Sequence, residues 1–186
     1  MRALLALPLA GLFLLYGTDS QYLSARHKIG LIESDTLRPG TRVVLSQGEL
    51  NSYVQREIAS VAPRGIRQPS VGLSNGGASG AALIDFGELQ RAQGNEPGWL
   101  MSKLLDGERP VRVSATIQSA NGRAVVNVQR VEISGIAIEG ATLDYLIRNY
   151  LMQYYPEAKV GRPFELGHHI ERLEVQPSAV AVVIGR

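Results

Sequence analysis

From Val111 to Gln118 the chain alternates apolar Val111, Val113, Ala115 and Ile117 with polar Arg112, Ser114, Thr116 and Gln118, then reverses at Asn121-Gly122. A period of two places the apolar side chains on one face of an extended strand, and Asn-Gly tolerates the positive φ values of a two-residue hairpin turn. The segment is therefore expected to be an antiparallel hairpin with an apolar face that another layer must cover. On the return strand Val126 and Val128 share one parity while Val131 and Ile133 share the other. Bringing all four to one face needs one extra residue near Gln129 or Arg130, so a β-bulge is predicted there, and bulges bend strands.

Two more strand pairs flank this one. Residues 66–74 and 78–86 turn across Asn75-Gly76, and residues 170–175 and 179–184 turn across Gln176, Pro177 and Ser178, where proline presets the turn. Helical stripes accompany them. Ser46 and Glu49 form a capping box, after which Leu50, Tyr53, Val54, Ile58 and Val61 recur at helical spacing until Pro63 stops the helix. Leu143, Leu146, Ile147, Tyr150, Leu151 and Tyr154 repeat the pattern before Pro156, and residues 97–105, with Trp99, Leu100, Met101, Leu104 and Leu105, read as a short greasy helix. One-sided hairpins and one-sided helices bury each other best as an α+β fold. The expectation is a curved antiparallel sheet of about six strands in hairpins, packed around amphipathic helices.

Residues 3–16 are apolar apart from Pro8 and Gly11, follow Arg2, and give way to Thr18, Asp19 and Ser20. That is a signal-peptide pattern, shorter than the ~20 apolar residues of a spanning helix. Cuts after Gly17 or Ala25 would place Leu15 or Leu23 where a small residue is preferred, which keeps an uncleaved N-terminal anchor open. The chain thus divides into 1–20, a signal peptide or anchor; 21–39, a linker; and 40–186, a single domain. The expected location is outside the cytoplasm, in the periplasm or cell envelope. The 186 residues include no cysteine, so no disulfide or lipidated cysteine contributes and burial of the 45% hydrophobic residues must hold the fold. A net charge of +2, without runs of Lys or Arg, and 6% aromatics disfavour a nucleic-acid surface.

Reaction chemistry has no evident home in this sequence. His168 and His169 are adjacent and lack a helical His-Glu-x-x-His or cysteine pair, so they read as a turn entering a strand, with no metal. Residues 72–80 are glycine-rich without the Lys-Ser or Lys-Thr of a phosphate loop and suit a hairpin tip. Ser46 caps a helix, and no serine lies in Gly-x-Ser-x-Gly. Asp85, Glu88, Asp106, Glu108, Asp144 and Glu165 form no recognisable acid–base pair. Neither an enzyme nor a cofactor is expected. The candidate site is instead an apolar wall made by Leu50, Val54, Ile58, Val113, Ile117, Val128, Ile133, Leu143, Ile147 and Leu151. Trp99, Leu100 and Leu104 could touch a membrane surface or gate the cavity, with Arg112, Arg130 or Arg148 meeting a phosphate at its rim. The competing expectation is an envelope interaction or assembly module, with no cavity, docking a protein partner of unknown kind through a strand edge or the greasy helix.

Four segments carry a resemblance. They are Leu45-Ser46-Gln47-Gly48-Glu49-Leu50-Asn51-Ser52-Tyr53, the Trp99-centred stretch before Pro110-Val111, Val131-Glu132-Ile133-Ser134-Gly135, and Gly161-Arg162-Pro163-Phe164-Glu165-Leu166. Together they resemble exported bacterial proteins similar to the LmeA-like phospholipid-binding family and, more distantly, tubular lipid-binding domains, over residues 40–186. The resemblance implies a long helix cradled by a curved antiparallel sheet, and lipid binding or transfer in the envelope. It carries over no catalytic residue. Residues 78–82, short and rich in alanine and glycine, depart from that pattern and leave either room for an acyl chain or a thin strand.

Overall fold

A computed structural model of the protein describes residues 10–61, 64–92, 107–146 and 160–186. Along the chain run α1 (Ala10–Glu33), β1 (Arg42–Ser46), α2 (Gln47–Val61), β2 (Ile66–Ser74), β3 (Gly77–Asp85), α3 (Phe86–Ala92) and β4 (Glu108–Ala120). There follow β5 (Arg123–Ile133), β6 (Ile136–Ile138), a short helix α4 (Gly140–Leu146), β7 (Phe164–Glu165), β8 (Ile170–Gln176) and β9 (Ala179–Ile184). The architecture is α+β. A six-stranded antiparallel sheet has the order β2-β3-β4-β5-β6, with β7 also on β5, and a three-stranded sheet has the order β1-β9-β8.

The large sheet follows the alternation in its sequence. Asn121 (φ 51) and Gly122 (φ 74) form the tight turn between β4 and β5, pairing Ala120 with Arg123; positive φ at both central residues is the turn whose twist matches the strands. Ser114 pairs with Arg130 and Ala115 with Val128, leaving Gln129 as the extra residue. The bulge brings Val126, Val128, Val131 and Ile133 opposite Ile117, Ala115, Val113 and Val111, all on one face. β2 and β3 meet across Asn75-Gly76, and Gln68 and Pro69 bulge between the Arg67 and Ser70 pairs. β3 ends at Asp85, whose carboxylate accepts the Glu88 N–H at 2.8 Å and so caps α3. Residue 86, expected to close a strand, therefore opens a helix. Gly65 (φ 103) lets the preceding loop close on this corner: a Cβ there would lie 2.7 Å from the Asp85 carbonyl oxygen, so only glycine fits.

The third hairpin is formed as expected, Gln176 pairing with Ala179 across Pro177-Ser178, but it does not join the large sheet. β9 pairs instead with β1, a strand the sequence reading left unassigned. Val43 and Leu45 of β1 point inward and Val44 outward, a period of two too short to stand out over five residues. Residues 21–33, read as part of a linker, form the second half of α1. Ala25 has no exposure and Ile32 only 7%; both pack with Val43, Leu45, Val182 and Ile184, because a helix with an apolar stripe is stabilised by the sheet it covers.

Polar contacts fasten α1 to α2. Glu49 closes the expected capping box, taking the Ser46 N–H at 2.7 Å while the Ser46 hydroxyl accepts the Glu49 N–H at 3.2 Å. The same carboxylate receives Lys28 Nζ at 2.6 Å and the Ser24 hydroxyl at 2.5 Å. Tyr22 stacks on Tyr53 with ring centroids 6.3 Å apart, and the Arg56 guanidinium lies 4.6 Å from the Tyr22 ring centroid.

Candidate functional site

Strand pairing decides which side chains of the large sheet share a face. Val71 and Leu73 of β2 face the same way as Gly80 and Ala78 of β3, Val113 and Ala115 of β4, and Val131 and Val128 of β5. Ile84, Val111, Ile117, Val126 and Ile133 complete this apolar face. Its two ends are covered. At one, Phe86 and Leu89 of α3 pack on Ile66, Ile84, Val111, Ile133 and Ile138. At the other, Ser119 accepts the Leu173 N–H at 2.7 Å and donates to the Leu173 carbonyl at 3.0 Å, drawing β8 against the hairpin end.

The middle of the face is not sealed. Val131 and Ile133 are each 7% exposed, but Val111, Val113, Ala115, Ile117, Val126 and Val128 all remain partly exposed. Among the described residues no large side chain is fully buried. Protein interiors pack at crystal-like density, so a strand pair with this many incompletely covered apolar side chains still has area to bury.

The expected wall is assembled in part. Val113, Ile117, Val128 and Ile133 do share one face, and the Gln129 bulge is what unites them. Ile133 belongs to the buried cluster under α3. Leu50 packs elsewhere, with Tyr53 against the α1 and small-sheet cluster; α2 meets the large sheet along its β2 edge. Val54 and Leu143 are partly exposed on α2 and α4. The Ile58 side chain, Ile147, Leu151, Trp99, Leu100 and Leu104 lie outside the described residues, as do the short helix expected over residues 97–105 and most of the stripe from Leu143 to Tyr154.

A cavity of about 310 Å³ lies on the opposite side of the same sheet. Ala81, Leu83, Pro110, Arg112 and Glu132, which share that side by register, line it together with Gln68 of the β2 bulge and Gly135; Ala82 and Val111, whose side chains belong to the other face by register, also border it. None of the expected wall residues borders this cavity. Arg112 therefore cannot serve the rim of the apolar face, and Arg130, ion-paired with Glu132 at 2.6 Å, is already engaged; Arg148 lies outside the described residues. One polar group on the apolar side escaped the sequence reading. Arg109 pairs with Ile84 across β3–β4, two residues before Val111 on the same face, and its Nε is buried with no hydrogen-bond partner among the described residues. Its break in the alternation, a charge at an apolar position, was the available signal.

The remaining chemical candidates are structural. His168 (φ 54) and His169 (φ 53) occupy an exposed turn between β7 and β8, with His168 Nδ1 3.2 Å from Asp35. No cluster of three or more His, Asp or Glu side chains that could hold a metal occurs among the described residues. Glu49 is the one carboxylate with a strongly shifted pKa among them: burial pushes it up, but hydrogen bonds from Lys28, Ser24 and the Ser46 N–H prevail and hold it at about 2, below its ordinary 4.5. That group is a helix-pairing anchor, with Ser46, Ser24 and Lys28 all accounted for by it. No helix of the described residues is long and apolar enough to cross a membrane. No family model matches the chain, and no curated protein matches it in sequence.

Proposed function

We propose that this is a non-enzymatic protein of the cell envelope that binds or transfers an apolar ligand, an acyl chain or a phospholipid, against the apolar face of the large sheet. The observation that carries the reading is the partly exposed strip of Val111, Val113, Ala115, Ile117, Val126 and Val128 between two covered ends. Each methylene a ligand buries there contributes about 0.8 kcal/mol, and the small Ala78, Gly80 and Ala82 of β3 leave space beside the strip. The bulges at Gln68–Pro69 and at Gln129 favour the bend a cradling sheet needs. The resemblance to phospholipid-binding and tubular lipid-binding domains points the same way, as does the export-like N-terminus.

Docking of a partner strand on the β2 or the β1 edge is less favoured. Asn51 occupies the β2 edge, donating to the Val71 carbonyl and accepting its N–H, both at 2.7 Å, and Lys28 donates to Val44 of β1 at 2.8 Å; edges satisfied in this way resist pairing. Native mass spectrometry of the protein purified from its own envelope tests the function, together with uptake of a fluorescent fatty acid. A co-purifying lipid and saturable uptake are expected; neither, on repeated preparation, would remove the reading.

A further inference from the structure

The apolar face has a direction. Its far end is closed by β8 on Ser119, through neutral hydrogen bonds, whereas its α3 end carries Arg109. Between Ile84, Ala82 and Gly80 on β3, Val111 to Ile117 on β4 and Val126 to Ile133 on β5, every other side chain directed to this face is uncharged. Among the described residues Arg109 is thus a single cation at one end of an apolar strip.

Its chemistry is unfinished. Two arginines on the other side of the sheet are engaged, Arg67 with Glu108 at 2.9 Å and Arg130 with Glu132 at 2.6 Å. Arg109 differs: its Nε is buried without a hydrogen-bond partner among the described residues, while the residue as a whole stays partly open to solvent. A buried donor left unmade costs free energy, so a site that keeps one is arranged for an acceptor that arrives from outside. An arginine offers Nε and one terminal nitrogen side by side, a fork that a carboxylate fills with two parallel hydrogen bonds.

Resting on the lipid-binding reading, we propose that Arg109 anchors the head of a long-chain fatty acid, its carboxylate on the Arg109 fork and its chain laid along Val111, Val113 and Ile117 toward Ser119. One cation matches one negative charge. The incompletely covered part of β4, Val111 to Ile117, runs six residues, about 20 Å at strand rise, which is the length of an extended long acyl chain.

The test compares oleate with methyl oleate, the same chain without the charge, by calorimetric titration of the full-length, delipidated protein at neutral pH and low salt. Oleate is expected to bind at least about tenfold tighter, as a charge-assisted hydrogen bond implies. In R109M that preference disappears while methyl oleate binding persists, which also shows the variant folded; R109K, retaining charge but losing the fork, recovers it only in part. Equal binding of the two ligands to the natural protein would overturn the anchor while leaving the lipid reading in place. Binding of neither would overturn both, and an oleate preference that survives in R109M would move the anchor elsewhere.

Discussion

Single residues fasten α1 to α2 and β1, and Glu49 does most of this. Glu49 is 7% exposed, and its carboxylate serves Lys28, Ser24 and the Ser46 N–H at once. Because these partners depress its pKa to about 2, the folded protein binds this proton less readily than the unfolded chain. The stabilisation is therefore complete above pH ~4.5 and is lost as pH falls toward 2. Urea melts between pH 7 and pH 2.5 should show this loss, and E49Q should flatten the Glu49 part of the acid limb. At neutral pH E49A should cost about 2–4 kcal/mol, since it leaves a lysine and a capping amide without their acceptor; a cost below about 0.5 kcal/mol would show that α1 is held without it. Asn51 plays the equivalent part at the β2 edge. N51A should cost about 1–2 kcal/mol and, by freeing the Val71 backbone, raise the tendency to aggregate, read by light scattering during refolding.

Elements show what could be read in advance and what could not. The β4–β5 hairpin, its Asn-Gly turn and the Gln129 bulge were all legible, because a period of two broken once has a single geometric remedy. Deleting Gln129 should consequently place Val126, Val128, Val131 and Ile133 in unbroken alternation on one face, removing the bulge and its bend without moving any of them to the other side. The expected result is a protein that still folds, with a Tm within about 5 °C of the natural one, and weakened fatty-acid uptake; unchanged uptake would mean that the bend at the bulge can be dispensed with. The capping box was equally plain, since Ser46 and Glu49 carry both halves of it. What escaped was tertiary. β1 is five residues long and gains its place by pairing with β9, a partner some 140 residues away whose choice no local pattern encodes. The continuation of α1 through residues 21–33 was hidden by polar residues such as Arg26, His27 and Lys28, which leave only Ala25, Ile29 and Ile32 for the core. Truncation measures how much that helix matters. A chain starting at Asp19 keeps Tyr22, Ser24 and Ala25, while one starting at Arg26 loses them; the second should melt on the order of 5–10 °C below the first, and equal melting temperatures would return these residues to the role of a linker.

At the scale of the whole molecule, the large sheet bears two different surfaces, and the middle of the apolar one is incompletely covered by the fold itself. α3 and β8 cover its ends, whereas α1, α2 and the small sheet bury most of their apolar area among themselves. The cavity of about 310 Å³ on the other side has an arginine and a glutamate in its walls. Residues predicted as a wall were thus placed on a common face where strand parity alone determined them, and dispersed where helix packing intervened, as with Leu50. The contrast between Val128 and Ile133 turns this division into an experiment. Both point to the same face, but Ile133 is buried in the α3 cluster at 7% exposure and Val128 is partly open. A carboxylate at a sealed position must shed its hydration or force the cluster apart, so I133D should abolish cooperative unfolding. At Val128 the charge can still reach water, and V128D should fold with a loss of only about 1–2 kcal/mol while fatty-acid uptake falls away, because an acyl chain cannot lie across an unpaired charge. If V128D unfolds as completely as I133D, the strip is ordinary core and the protein has no apolar site on that face; if it folds and still takes up the fatty acid, the ligand lies elsewhere on the molecule.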